Sequence, residues 1–562
     1  MFCSSCGNQL PDGARFCPKC GASQQAVDVE AIRKPETVSN PVASQPANVR
    51  KTDTKKTRLP LILGLAGGGV LMVALTVILA VVLIGGKGGS KGNNYVIVEN
   101  PVTYVVDQDD FFGEEHYLIA SDGRQMSLYH GAPDTMITGM ESGFFLDRPD
   151  DAEWGTEEYD RQSLYHYGKD GLDLIAEDVL YMRDSADGTA VVYATTAGMI
   201  SNFDQTPVHI HVWKDGKDMD LGMLDNFDQF CISPDGSSVF FAGEDAIEYI
   251  AEIWTDGKRV ETLEDFEESA AIALSNDGKT LFYYNNDFDR LYAYDSGEEI
   301  LLGRQDYFQF SPKYFNDDCK QILFVCDDET YVWNQGDDDA TQVADEALYL
   351  ITPAHTRLWG ISVDTFEHFV GVKDFRGIFL QNNDSECYYL DSKLELHSVI
   401  SGYSMLQLAD DGKTIVVARR NNLFKFDGTK EHDDLEDSIV ADDVVGFQMT
   451  PDAEDIYILD DYNDLYYVQG PGKTVLLAES LVNPNFQYPA ASMDYRGRLY
   501  FISDDELHYA VKDTVQTVEG FEGTPSGVFP SGSVIFVHSD VDYDVYRYAV
   551  LPDDTIMLSS IW

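Results

Sequence analysis

The chain has 562 residues, of which 39 are lysine or arginine and 97 are aspartate or glutamate, a net charge of −58. That balance excludes the clustered cations a nucleic-acid-binding surface needs, and it disfavours docking on anionic lipid headgroups. It favours basic partners, cations or plain solvation. The charge is unevenly placed: residues 1–94 hold 11 basic and 5 acidic groups, net +6, which leaves 28 and 92, net −64, for residues 95–562.

The first element is MFCSSCGNQLPDGARFCPKCGA. Cys3 and Cys6 form one C-x-x-C pair, and Cys17 and Cys20 form a second, with ten residues between them. Four thiolates in two such pairs suit one tetrahedral zinc ion, and Gly7 and Gly21 supply the tight turn after each pair. A segment this short cannot bury a core of its own, so the metal supplies its folding energy. Closure by four cysteines leaves no position for a reacting water, which makes the expected zinc structural. The stretch 1–23 resembles the short N-terminal zinc ribbon carried by many bacterial membrane proteins. That resemblance implies a structural zinc and a protein contact in place of catalysis. Residues 24–57, rich in Ala, Ser, Gln, Pro and Thr and free of aromatics, read as a flexible linker.

Leu59–Ile84 is a run of 26 residues without a charged side chain. At about 1.5 Å per residue a helix of this length crosses a hydrocarbon core of about 30 Å, so a single transmembrane helix is predicted over 59–84. Arg50, Lys51, Lys55, Lys56 and Arg58 precede it, and only Lys87 and Lys91 follow closely. The positive-inside rule then places the N-terminus in the cytoplasm and the C-terminal body outside. Residues 85–94, GGKGGSKGNN, read as a second flexible linker.

The body repeats one phrase: a Ser/Asp/Gly turn, a short apolar strand, an acidic or Asn-rich turn, then an aromatic-rich strand. Examples begin at Ser233 (SPDGSSVFFAGEDAIEYIAEIW), Ser275 (SNDGKTLFYYNNDFDRLYAYD) and Ala409 (ADDGKTIVVARRNNLFKFD). Equivalent turns fall near Gly188, Gly236, Gly278, Asp318, Gly412, Glu454, Gly497 and Gly532. Their spacing is about 40–45 residues with one double step, so an eroded copy is placed near Thr365. This period, with several strands per unit and no amphipathic helix, predicts a mainly β chain whose residues 171–562 form a β-propeller of about eight blades, seven to nine being allowed. Residues 95–170 read as a β segment, either an extra blade or a small β domain. Turns such as Ser233-Pro234-Asp235-Gly236 resemble those of TolB-like and WD-repeat propellers. The Trp-Asp and Gly-His pairs of WD repeats do not recur, which favours the TolB-like type. The resemblance implies fold, not function, because propellers host many activities.

The acidic clusters Asn285–Asp289, Asp460–Asp464 and Asp540–Asp544 each fall between the second and third strands of a unit. Turn chemistry accounts for them, and calcium is the sharper alternative because hard cations want many oxygens. His209 and His211 share a strand face and could hold a metal, but the favoured reading is simply one face of a blade strand. Cys231, Cys319, Cys326 and Cys387 read as small buried thiols. Gly470-Pro471-Gly472-Lys473-Thr474 lacks the first glycine of a phosphate loop, since Tyr467 stands there. No H-E-x-x-H or G-x-S-x-G occurs, and no catalytic or cofactor-binding residue is singled out. The resulting expectation is a single-pass surface protein of a bacterial cell membrane. Its acidic propeller binds an extracellular protein, peptide or glycan, and the zinc ribbon meets a cytoplasmic partner. The alternative is an extracellular hydrolase or lyase that uses dispersed carboxylates.

Overall fold

The computed structural model describes residues 94–558 apart from 99–100, 110–112, 129–140, 148–161, 170, 197–206, 246–247, 265, 268, 286–288, 305–311, 363–366, 432–434, 482–490, 521–522, 532 and 542–543. The zinc-ribbon cysteines, the first linker, the Leu59–Ile84 segment and residues 85–93 of the second linker lie outside the described residues. Among the described residues no helix is long and apolar enough to cross a membrane.

The described strands pair into ten sheets spanning residues 102–128, 143–224, 226–262, 269–304, 313–344 (joined by 358–370), 349–401, 405–441, 446–478, 491–517 and 524–558. Six of these are plain four-stranded antiparallel meanders. The only described helical element is the short 3-10 turn Glu436–Ser438. The chain is therefore a β-propeller, with ten blades in place of the expected eight or so.

The difference has three local causes. Residues 95–170 contribute the three-stranded sheet 102–128 and the start of the next, so they add blades and do not form a separate β domain. Strand Gly171–Asp184 is 14 residues long and joins the hairpin before it and the hairpin after it into one six-stranded sheet. Up to Val179 it pairs with Gln162–Gly168, and from Val179 onward with Ala190–Thr196. A bulge between Val179 and Tyr181, beside Asp178 at φ +59°, turns the strand from one partner to the other. The unit expected near Thr365 begins instead at Tyr349–Ile351 and resumes at Ile378–Gln381. Between them the hairpin Leu358–Ser362/Glu367–Val370 leaves its own unit and joins the neighbouring sheet, where Glu367–Phe369 runs parallel to Lys313–Phe315.

The recurring turn has a physical reason. In each well-formed copy a Ser, Thr or Asn side-chain oxygen accepts the backbone N–H five residues on. Examples are Ser185 to Ala190 (3.0 Å), Ser233 to Ser238 (2.9 Å), Ser275 to Thr280 (2.9 Å), Asn316 to Gln321 (2.9 Å) and Thr450 to Asp455 (3.0 Å). The Ser or Thr hydroxyl in turn donates to the Asp two residues on, as Ser275 does to Asp277 at 2.9 Å. These turns also bond across blades. Asp187 N–H donates to Pro234 O, Asp235 N–H to Asn276 Oδ1, Asn276 N–H to Asp318 O, and Asp410 N–H to Pro451 O. One turn thus closes its own hairpin and fixes the next blade.

Between blades lie aromatic cores. Phe282 meets Phe315 at 5.2 Å and Trp333 edge-on at 5.5 Å, and Phe315 meets Phe369 at 5.6 Å. All four rings are buried. Burying such a side chain contributes roughly 1.5–3 kcal/mol, and each ring pair adds about 0.5–1.5 kcal/mol. The inserted strand carrying Phe369 therefore completes a core that its neighbour would otherwise leave open.

Candidate functional site

A cavity of about 560 Å³ lies among the described residues. It opens where the first strands of five consecutive sheets converge. Ile351, Leu406, Gln407, Leu408, Gln448, Met449, Ser492, Met493 and Pro530 come from those edge strands, and Val98, Pro101 and the 352–356 loop complete the wall. The N-terminal segment is held there by backbone bonds. Tyr95 bridges Val372, Ile97 bridges Thr356, and Val98 N–H donates to His355 O at 2.9 Å. The Asn94 side chain caps the same edge by donating to Asp374 O and Arg376 O.

The cavity's polar groups fall into two classes. Some are already spent. Asp494 is the one carboxylate in the lining; it accepts the backbone N–H of Arg496 and Arg498 and the Arg498 Nε at 2.7 Å. Arg498 also reaches Asp554 and lies over the rings of Tyr500 and Tyr509. Burial alone would lower the Arg498 pKa, but the Asp494 charge, Tyr500 and the hydrogen bonds to Asp494 and Asp554 together outweigh it and hold the guanidinium charged. Ser492 Oγ donates to Val528 O, and His355 Nδ1 lies 3.3 Å from Asp410 with its ring 5.1 Å from that of Tyr495. The others are free. Gln407 and Gln448 line the cavity half-buried, and no hydrogen bond occupies either carboxamide among the described residues. The Thr356 hydroxyl is buried without a partner among the described residues, its residue 6% exposed.

Gln407 and Gln448 hold equivalent places. Each stands one residue before the end of its edge strand, opposite Val416 and Tyr457 respectively. Sequence reasoning passed over both. The available signal was their matched position just ahead of the turns Ala409-Asp410-Asp411-Gly412 and Thr450-Pro451-Asp452.

Other sequence candidates resolve differently. The acidic clusters do lie between second and third strands, as expected. In the fully described one, Asp460 Oδ1 accepts N–H from Tyr462 and Asp464, its Oδ2 accepts from Tyr466, and Asp464 accepts Ser480 N–H. Those oxygens are committed to the turn itself, which leaves calcium without support. His209 and His211 sit 6.2 Å apart, each beside its own carboxylate: Asp220 at 3.6 Å and Asp218 at 3.3 Å. His211 also stacks on Tyr193, so the pair does not converge on one ion. One described trio, Asp391, Glu395 and His397, brings its ligand atoms within 4.8 Å. Asp391 already accepts backbone N–H from Lys393 and Glu395, which lowers its pKa as a hairpin cap would. Cys231, Cys319, Cys326 and Cys387 are buried free thiols, and burial raises the pKa of Cys319, Cys326 and Cys387. Gly470–Lys473 is a tight hairpin turn between two strands, not a phosphate loop.

Acids beyond the cavity serve tyrosines. Tyr193 donates to Asp218, Tyr249 to Asp228, Tyr388 to Glu386 and Tyr467 to Asp455. Tyr331 donates to Glu329, and that bond with burial pushes the phenol up to about 12. The phenols stay neutral donors, and each anion gains a partner on a cation-poor surface.

Residues 2–24 match the zinc-ribbon domain family, so the chain carries a zinc ribbon at its N-terminus. No curated protein matches the chain. Several solved structures share the strand arrangement loosely. The tricorn protease is 11% identical with a TM-score of 0.25, over 82% of this chain and 53% of its own. The β-propeller domain of the Trilobed protease from Pyrococcus furiosus is 14% identical with a TM-score of 0.28, over 54% of this chain and 99% of its own. TolB from Acinetobacter baumannii is 11% identical with a TM-score of 0.24, over 59% and 78%. The chain thus spans about half the length of the tricorn protease. The propeller assignment rests on the chain's own sheets.

Proposed function

We propose that this protein is a single-pass, membrane-anchored surface protein of a bacterial cell, with its acidic propeller outside and its zinc ribbon in the cytoplasm. The propeller acts as a binding module for an extracellular protein, peptide or glycan. The observation that carries this reading is the cavity at the convergence of five edge strands, where two carboxamides and one hydroxyl remain free while the acidic and basic groups are paired. Free neutral donors and acceptors beside spent charges suit recognition more than acid–base chemistry. The 26-residue apolar run and its flanking cations support the anchored topology. Cys3, Cys6, Cys17 and Cys20 would hold one zinc, since four thiolates in paired C-x-x-C turns match its tetrahedral preference. The ribbon would then present a rigid surface to a cytoplasmic partner.

Protease shaving of intact cells tests the topology. A C-terminal epitope on the full chain should vanish while an N-terminal epitope persists. Survival of the C-terminal epitope until lysis overturns the reading.

A further inference from the structure

We infer that the hub cavity seats an extended peptide segment whose middle is apolar and uncharged and whose flanks are basic. This rests on the reading of the propeller as a binding module and names the class of its ligand.

Three observations favour a peptide. The first is chemistry. Gln407 and Gln448 each present one carbonyl and one amino group from matched positions on neighbouring edge strands. A peptide group carries the same complement, one acceptor and one donor, so two such side chains satisfy successive backbone amides. Thr356 adds a buried hydroxyl with no partner among the described residues. Leaving it unfilled costs free energy that a ligand's carbonyl or N–H would recover.

The second is shape and lining. About 560 Å³ falls in the usual range for ligand cavities, roughly 300–1,000 Å³, and admits a few residues of chain but not a folded domain. Ile351, Leu406, Met449 and Met493 line it, with Val98 and Pro530 at its sides. The two methionines give a wall that adapts to different apolar side chains. A glycan would want an open aromatic platform. The one aromatic residue in the lining, Tyr495, has the His355 ring against it. A glycan-cleaving site would want a free carboxylate pair, and Asp494 is held by Arg498.

The third is charge. No lysine or arginine lines the cavity, and His355 is paired with Asp410. Nothing there neutralises a phosphate or carboxylate. Around it lies a chain of net charge −58, whose field attracts cationic flanks and repels anionic ones.

The test uses the full chain in detergent micelles and fluorescence anisotropy. The probes are labelled, end-blocked heptapeptides of the form Lys-Lys-Xaa-Leu-Xaa-Lys-Lys with Xaa randomised over apolar residues. The same set with Glu at the flanks and a labelled chitotetraose serve as comparison probes. The lysine-flanked set should bind, and the glutamate-flanked set at least tenfold more weakly at low salt. The double variant Q407L/Q448L should lose at least tenfold in affinity, with a thermal transition matching the parent because neither carboxamide holds the fold together. Q407N/Q448N, which keeps the amides on shorter arms, should fall between them. Equal binding by Q407L/Q448L and the parent overturns the site. Chitotetraose binding that is lost in Q407L/Q448L overturns the peptide assignment while leaving the binding-module reading in place. Failure of every probe overturns the peptide inference, whereas the anchored topology is decided separately by protease shaving.

Discussion

Asp317 shows how this acidic chain stores strain in single residues. Its carboxyl is pushed from an ordinary 3.8 to about 6, first by burial and then by the neighbouring Asp318, with Arg357 and Lys373 offsetting part of the effect. Its backbone N–H meanwhile donates to Val372 O, which fixes it in place between two blades. Because the folded state holds this proton more tightly than the unfolded chain, the associated stability is full below about pH 4. It is lost as pH rises through about 6. Replacing the charge should therefore help only where the charge exists. Asp317→Asn is expected to raise the melting temperature at pH 7.5, by an amount on the order of 1 kcal/mol after allowance for solvent screening, and to change it little at pH 4. A pH-independent shift in calorimetry would contradict this account.

At the scale of the element, the recurring turn carries the argument. Ser275 is fully buried; its hydroxyl accepts the Thr280 N–H and donates to Asp277. Ser275→Ala should cost about 1–3 kcal/mol, because it orphans a buried donor, with urea denaturation as the measurement. Two glycines make a paired comparison. Gly236 has φ +66°, and an added Cβ would lie 2.1 Å from the Ala190 Cβ of the adjoining blade. Gly216 has φ +73° with nothing within 4 Å. Gly216→Ala should cost only the left-handed strain, about 1–2 kcal/mol. Gly236→Ala should cost clearly more, because two blades must separate. Equal losses would show that the turns do not pin blade to blade. These turns were legible in the sequence because their chemistry is local: a Ser, an Asp and a Gly at fixed offsets specify the loop. The doubled strand Gly171–Asp184 was not legible, since nothing in its residues reveals two partners. Nor was the Leu358–Val370 insertion, whose parallel partner lies about 50 residues upstream. Gln407 and Gln448 were hidden for a related reason. A glutamine on a strand is ordinary until five edge strands bring it to a common cavity.

For the whole molecule the decisive question is how the first blade meets the last. The two are joined across a sequence separation of 430 residues, with Ser533 N–H donating to Thr103 Oγ1 at 2.8 Å. Ser533 Oγ donates to Ile119 O at 2.6 Å. Behind these bonds Ile119 packs with Val534, Phe536, Ala549 and Leu551. Contacts elsewhere run mainly between sequence neighbours, as in other repeat folds, where stability spreads through nearest-neighbour interfaces. This junction draws together parts of the chain that the unfolded state holds farthest apart, so loop-closure entropy weighs on it most. If it is the weak seam, loosening it should be felt on both sides and nowhere else. Thr103→Val combined with Ser533→Ala removes both hydroxyls while keeping the apolar seam, and leaves the backbone N–H of residue 533 buried without its Thr103 acceptor. Amide hydrogen exchange should accelerate together in strands Val102–Asp109, Gly113–Ala120 and Val534–Val541. Strands Ser269–Leu274 and Thr280–Asn285, several blades away, should keep the parent rate. Opening of local units at free energies below global unfolding is the expected behaviour of such a seam. Uniform acceleration across all blades would instead make the ring one cooperative body, with closure no weaker than any other interface.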